Sequence, residues 1–148
     1  MKIEIDQSGK IEKTSKLTTV AYSNGKSQSI FITAKDKKSI QSLFRKIGQP
    51  KIFVYKLFAV LIFVLLKDEF KSQNQIIIDQ EYPGYDSLIK DILFDVARLN
   101  NIKIDPKNIA FGCIGRKSKA HTKAINSFRN KKADIKLSAK EFYKIVFK

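Results

Sequence analysis

The chain has 148 residues, which suits one domain (residues 1–148) with a single core and is too short to suggest two. Its 29 Lys and Arg against 14 Asp and Glu give a formal charge of +15. This excess attracts polyanions, because basic side chains that neutralise phosphates release condensed counterions. Nucleic acid is therefore the first candidate partner and an anionic membrane surface is the second. The alternative is a lysine-rich surface that serves only solubility.

Cysteine content and hydropathy indicate the compartment in which we expect the protein and its relation to membranes. Cys113 is the only cysteine, so one chain forms neither an internal disulfide nor a cysteine-based zinc site, and we expect a reducing, cytoplasmic compartment. The amino terminus alternates charged and apolar residues, unlike a signal peptide. The most apolar stretch, Leu57 to Leu66, is well short of the ~20 residues of a membrane-spanning helix. It predicts a buried core helix, and we expect no membrane partner.

The first third of the chain predicts three antiparallel strands. Lys2 to Asp6 alternates apolar and polar residues. Leu17 to Ser23 and Ser29 to Thr33 are rich in residues that favour strands. Asn24-Gly25 between these two runs predicts a hairpin with a type I′ turn, in which both central residues have positive φ.

Helices and strands alternate over the rest of the chain. Asp36 is a candidate N-cap for a helix that ends at Gly48-Gln49-Pro50, and the length of the apolar stretch from Lys51 to Phe70 favours a helix. Ile76 to Asp79 predicts a strand buried on both faces. The later segments are a helix over Leu88 to Leu99, a strand over Asn108 to Ile114, a basic helix over Lys117 to Asn130 and an amphipathic segment over Ser138 to Phe147. Strands that follow helices extend a sheet in parallel, so we expect an α/β fold with a mixed five-stranded sheet flanked by helices.

Two of the predicted strands end in carboxylates. KIEIDQSG brings Asp6 to the end of the first strand, and QIIIDQEYP brings Asp79 to the end of the fourth, with Glu81 two residues later. The rim of the sheet is where α/β folds place their sites. Our hypothesis is that the two strand ends lie side by side and hold a metal ion. The alternatives are that Asp6 only starts a turn, through the backbone of Ser8 or Gly9, and that Glu81 is a solvated loop residue.

The order of these elements resembles the ribonuclease H-like fold shared by ribonuclease H, RuvC-type Holliday junction resolvases and many transposases. IEIDQSG is similar to the family's first strand, and IIIDQEYPG is similar to its fourth. IGRKSKAHTKA is similar to the start of its carboxy-terminal helix. The resemblance implies that Asp6 is the central carboxylate bridging two metal ions and that Asp79 or Glu81 is the second ligand. The family's acid on the last helix has no counterpart between Arg116 and Ala133, and the resemblance implies His121 as its substitute.

The implied activity is that of a Mg²⁺- or Mn²⁺-dependent endonuclease cleaving phosphodiester bonds in structured or branched DNA, nearest to RuvC-type resolvases and acting as a homodimer. His121 would bind one ion weakly or assist proton transfer, or it has only a structural or solvent-facing role. The stretch Leu57 to Leu66 is a candidate two-fold contact. The rival is a non-catalytic nucleic-acid-binding protein on the same scaffold, and a third possibility is an interaction module whose charge is incidental.

Basic residues cluster along the predicted helix that follows Gly115, whose amino-terminal dipole would face the proposed site. The candidate nucleic-acid-binding residues are Lys10, Arg116, Lys117, Lys119, Lys123, Arg129, Lys131 and Lys132. A solvated helix face is the alternative. No base-reading motif is present, so we expect recognition of shape or of junctions. Gly9 would let its turn pass close to a phosphate, and Cys113 is expected in the core.

Overall fold

The structure, a computed structural model, describes residues 2–70 and 73–148. Its strands within these ranges are β1 (Lys2–Ser8), β2 (Thr18–Ser23), β3 (Ser27–Ile32), β4 (Gln75–Asp79), β5 (Ile109–Gly112) and β6 (Ile135–Lys136). Its helices are α1 (Ala34–Lys46), α2 (Phe53–Leu66), α3 (Asp86–Leu99), α4 (Lys119–Asn130) and α5 (Ala139–Val146), with a 3₁₀ turn at Pro106–Asn108. The strands form one mixed sheet in the spatial order β5-β4-β1-β2-β3-β6.

The pairing of the first five strands agrees with the expectation from the sequence. β1, β2 and β3 are an antiparallel meander, β4 lies parallel to β1, and β5 lies parallel to β4. The expected count of five strands is wrong, because β6 adds a sixth strand parallel to β3. Two residues are too few to carry an alternating pattern. The edge of β3 provides the partner, and Leu137 N, just beyond β6, donates to Phe31 O at 2.9 Å.

The hairpin is present, but its turn differs from the expected one. Ser23 pairs with Ser27, so the loop has three residues, Asn24, Gly25 and Lys26. Gly25 has φ +98°, whereas Asn24 is not among the residues with positive φ, which rules out the type I′ turn. The amide of Lys26 donates instead to the Asn24 side-chain carbonyl at 3.2 Å, an Asx-type contact that stabilises this alternative.

One face of the sheet carries the hydrophobic core. Ile3 and Ile5 of β1 are fully buried with residues of β2 and β3, and α2 packs on this face with α3 against it. The stretch Leu57 to Leu66 is a buried core helix as predicted, with only Val64 partly exposed. Because α2 is enclosed, the idea that it supplies a two-fold contact is wrong. No helix in the part of the chain that the structure describes has the length and apolarity to cross a bilayer.

The opposite face of the sheet is covered by α4, which packs on β1, β2 and β3. Small side chains on α4 allow a close approach: Thr19 Oγ1 donates to Ala124 O at 2.7 Å, and the hydroxyls of Ser29 and Ser127 lie 2.7 Å apart. On this face Ile77 of β4 is only half-buried, whereas Ile76 and Ile78 on the other face are buried. The expectation that β4 is buried on both faces is therefore wrong, and the carboxylate ends of β1 and β4 lie beside an open part of the sheet.

Helix capping agrees in part with the sequence. Ser138 caps α5 as predicted, accepting from Glu141 N at 3.1 Å. At α1 the N-cap is Thr33, whose hydroxyl accepts from Asp36 N, so Asp36 lies in the first turn and is not the cap. A carboxylate in the first turn still compensates the helix dipole.

Candidate metal centre

The sheet register brings the two predicted strand-end acids together. β1 and β4 run parallel with Ile5 beside Ile78, so the next residues along, Asp6 and Asp79, are neighbours. Both lie on the face covered by α4, because residues of one strand alternate between faces. Asp6 is buried and Asp79 is half-buried. The arrangement depends on β4 pairing with β1, which neither strand specifies alone.

Three carboxylates converge at this point. One oxygen from each of Asp6, Asp79 and Glu81 lies within 4.8 Å of the other two. Oxygen donors of this kind suit hard cations such as Mg²⁺ and Mn²⁺. The residues present therefore fit a divalent ion, which Asp6, Asp79 and Glu81 would hold together.

Backbone amides fix the orientation of the two strand-end acids. Asp6 Oδ1 accepts from Gln7 N at 2.8 Å, and Asp79 Oδ1 accepts from Ile114 N at 3.0 Å, in the segment between β5 and α4. Asp6 thus contacts Gln7, His121 on its other oxygen, and Glu81. Among the residues that the structure describes, neither Ser8 nor Gly9 donates to it, as a simple turn would require. Ile114 contributes through its main-chain amide, which no pattern of side chains could reveal.

Glu81 is electrostatically the most perturbed acid of the cluster. It is half-buried, which excludes a fully solvated loop position. Burial, with the neighbouring Asp6 and Asp79 acting in the same direction, raises the pKa of Glu81 from 4.5 to about 8. Carboxylates this close disfavour simultaneous ionisation. Without a cation, the site therefore keeps a proton at neutral pH that a divalent ion would displace.

His121 contacts the site through one ring nitrogen. Its Nδ1 lies 2.7 Å from Asp6 Oδ2, and its side chain is 30% exposed. This contact occupies Nδ1 and fixes the ring, so any exchange of protons with a substrate falls to Nε2. His121 contacts Asp6, while the group that could hold a metal ion consists of the three carboxylates.

A further acid of β1 anchors the start of α4. Ser118 caps the helix, accepting from Ala120 N, and its hydroxyl also donates to Glu4 Oε1 at 3.1 Å. Glu4 lies two residues before Asp6 and on the same face of the strand. Glu4 was assigned no role from the sequence, although its period-two spacing from Asp6 places both side chains on one face. The contact sets the start of α4 against β1, one helical turn before His121.

Tyr82 connects the site to the loop between β1 and β2. Its hydroxyl accepts from Gln7 Nε2 at 3.0 Å and from Ile11 N at 3.4 Å, and lies 3.5 Å from Glu12 Oε1. Burial raises the pKa of Tyr82, so the phenol stays protonated. This residue was also missed, and its only signal was its place directly after Glu81.

The predicted basic residues fall into two groups along α4. Arg116, Lys117 and Lys119 are exposed around the amino-terminal end, next to Ser118. Arg129, Lys131 and Lys132 are exposed around the other end, roughly 18 Å away along the helix. The first group lies near the carboxylates, and the second does not.

Two other candidate residues have specific surroundings. Lys123 is half-buried and its Nζ lies 3.3 Å from Asp134, so its charge is partly compensated within the protein. Lys10 is exposed in the loop after β1. Of the predicted set, Lys123 is therefore the weakest candidate for a phosphate contact.

Two expectations about small residues are wrong. Gly9 has φ +79°, but a Cβ there would lie 2.5 Å from Phe128 Cε2, so the turn packs against α4 and not against open space for a phosphate. Cys113 is exposed, because β5 is an edge strand that ends at Gly112. An apolar run at the edge of a sheet is not necessarily buried.

Comparisons of the chain with protein-family models, with curated proteins and with solved structures find no match. The function must therefore be inferred from the geometry of these side chains.

Proposed function

We propose that the chain is a metal-dependent endonuclease with a ribonuclease H-like arrangement, nearest to RuvC-type resolvases, that cleaves phosphodiester bonds in structured or branched DNA. The observation that carries the proposal is the convergence of Asp6, Asp79 and Glu81 within 4.8 Å at the paired ends of β1 and β4. The exposed Arg116, Lys117 and Lys119 near this cluster support a polyanionic substrate.

Each residue would have a defined task in cleavage. Mg²⁺ or Mn²⁺, when bound, would lower the pKa of a water molecule and neutralise charge on the leaving oxygen. Asp6 and Asp79 would hold the ion in an orientation set by backbone amides. Asp6 would also orient His121, whose Nε2 would take or deliver a proton.

The basic residues around the start of α4 would position the substrate. Their side chains and the positive end of the helix dipole would contact phosphates close to the carboxylates. Such contacts fix the register of a substrate and carry no base sequence, which agrees with recognition of DNA shape.

The second candidate function is nucleic-acid binding without catalysis. It is favoured by α4, where the residue facing Asp6 is His121 and no acid lies between Arg116 and Ala133. This alternative predicts salt-sensitive DNA binding that survives both Asp6→Asn and Asp79→Asn, with no turnover.

The deciding experiment is a cleavage assay on a four-way junction, a duplex and an RNA–DNA hybrid, each with Mg²⁺ or Mn²⁺. Wild type is compared with Asp6→Asn and with Asp91→Asn, a matched control at an exposed position on α3. We expect wild type and the control to cut the substrate and Asp6→Asn to have a cleavage rate at least ~100-fold lower. This is the scale of the loss when a group that stabilises charge is removed. Equal rates for all three proteins would refute the site, and binding without cutting would favour the alternative.

A further inference from the structure

Lys37 of α1 is fully buried, although an ammonium group is costly to remove from water. Its Nζ donates to Lys13 O at 2.8 Å, to Lys10 O at 3.2 Å and to Thr18 Oγ1 at 3.0 Å. Three acceptors match the three protons of the ammonium group. Burial lowers the pKa of Lys37 to about 8, with Glu12 acting in the opposite direction. The side chain therefore acts as an internal clamp on the loop between β1 and β2.

The clamp acts on the two carbonyls that define the shape of this loop. Lys13 N donates to Lys10 O at 3.1 Å, and Lys16 N donates to Lys13 O at 3.3 Å, so two turns follow each other. The carbonyls that close both turns are those bound by Lys37. They face the protein interior, as does the fully buried Ile11. The side chains of Lys10, Lys13 and Lys16 are exposed.

The loop spans the distance between the carboxylate site and the far end of α4. On one side, Tyr82, which follows Glu81, receives a hydrogen bond from Ile11 N. On the other side, Lys16 lines an open groove of about 440 Å³ together with Arg129 and Lys131. Residues 10–16 thus connect the site with the second basic group of α4.

These cations lack acidic partners of their own. Within residues 2–70 and 73–148, no ion pair involves Lys10, Lys13, Lys16, Arg129 or Lys131. The loop also contains one acid, Glu12, whose Oε1 lies 3.5 Å from the Tyr82 hydroxyl. The three lysines and the two cations of α4 leave this surface with a net positive charge, which attracts a polyanion. Because Lys37 already orders the loop, binding would cost little further conformational entropy.

We propose that the loop of residues 10–16 is a second contact surface for the phosphate backbone of nucleic acid, and that Lys37 is its positioning residue. The inference rests on the nucleic-acid binding included in the proposed function, but not on cleavage. Lys10, Lys13 and Lys16 supply the phosphate contacts, and Arg129 and Lys131 extend them across the groove. DNA would then reach past the carboxylates along the side of α4.

The first test replaces the three loop lysines together by glutamine, as Lys10→Gln/Lys13→Gln/Lys16→Gln. The matched control is Lys103→Gln/Lys107→Gln/Lys140→Gln, which removes the same charge at exposed positions. Two of these precede β5, so they lie at the end of the parallel strands opposite the one that carries the carboxylates, and the third is on α5. Binding of a labelled four-way junction and a duplex is measured by fluorescence anisotropy in EDTA over a range of salt concentrations.

Log affinity falls as log salt concentration rises, and each lost phosphate contact should make this slope less steep by about 0.9. The same loss should weaken binding roughly 8-fold at 0.1 M salt. We expect the loop variant to lose two to three such contacts, and the control to lose fewer than one. Equal slopes for the two variants would overturn the inference while leaving the proposed function intact. Absence of DNA binding by wild type would overturn both, as would a preference for phosphatidylserine vesicles over DNA.

The second test separates positioning from general stability. Lys37→Met should weaken DNA binding about 10-fold in the wild-type background and less than 2-fold in the triple loop variant, because the clamp acts through the loop lysines. A purely structural role would weaken binding equally in both backgrounds. Thermal melts establish that each variant is folded at the assay temperature. If Lys37→Met unfolds, Thr18→Val is used in its place, because it removes one acceptor of the ammonium group. It too should weaken DNA binding more in the wild-type background than in the triple loop variant.

Discussion

Replacing Glu81 by glutamine tests the electrostatics of the carboxylate cluster without requiring any activity. The pKa of Glu81 is raised from 4.5 to about 8, so between these pH values the folded protein holds a proton that the unfolded chain releases. The stabilisation from this proton is fully present below about pH 4.5 and is lost as the pH rises through about 8. Wild type should therefore lose stability over this interval, relative to the Glu81→Gln variant.

The expected magnitude follows from the size of the pKa change. A rise from 4.5 to about 8 corresponds to at most ~5 kcal/mol, at 1.36 kcal/mol per pH unit. Solvent reaches part of the Glu81 side chain, which reduces the cost of burying its charge and screens the repulsion, so we expect about 2 kcal/mol. Glu81→Gln should match wild type at pH 4.5 and exceed it in unfolding free energy by roughly this amount at pH 9.

The assay is urea unfolding in EDTA at a series of pH values, followed by circular dichroism, with Asp91→Asn as the control. In a second series without EDTA, Mg²⁺ or Mn²⁺ at pH 8 should stabilise wild type more than the Glu81→Gln variant, because the ion replaces the proton and needs the carboxylate. A stability difference between variant and wild type that does not change with pH would refute the reasoning. So would equal stabilisation of the two proteins by the ion.

Three further predictions concern single residues. Gly9→Ala should destabilise the protein by more than about 2 kcal/mol in chemical unfolding, because φ is +79° and the new Cβ would meet Phe128, whereas Gly25→Ala, with open space around it, should cost less. His121→Gln should lower the cleavage rate while leaving DNA binding in EDTA unchanged, and an unchanged cleavage rate would exclude proton transfer by this residue. Thr33→Ala should reduce the unfolding free energy by about 1 kcal/mol, because it removes the cap of α1. A larger loss in Asp36→Ala than in Thr33→Ala would instead identify Asp36 as the cap.

Local sequence patterns predicted much of the fold. The alternation in β1, the apolar run in β4 and the length of α2 all predicted elements that the structure contains. These patterns work because each element must present an apolar face to the core, and the period of that face identifies the element. The β2–β3 hairpin was likewise found from Asn24-Gly25, although a side-chain contact selected a different turn.

The sequence also identified the acids of the candidate site, because Asp6 and Asp79 end apolar strands. It left open whether Asp79 or Glu81 accompanies Asp6, and the structure brings both of them to it. The family resemblance implied only that His121 belongs to the site. Its contact with Asp6 was not predicted, since their separation of 115 positions leaves no local signal.

Other features were decided by tertiary structure alone. Lys37 shares the helical spacing of Ile40 and Phe44, yet a lysine on an apolar stripe does not reveal that two backbone carbonyls and a hydroxyl of another segment meet its ammonium group. The exposure of Cys113 and the pairing of β6 depend on which strands form the edges of the sheet. Periodicity reports how a segment faces the core, whereas these features depend on which segments become neighbours, and that is fixed only when the whole chain packs.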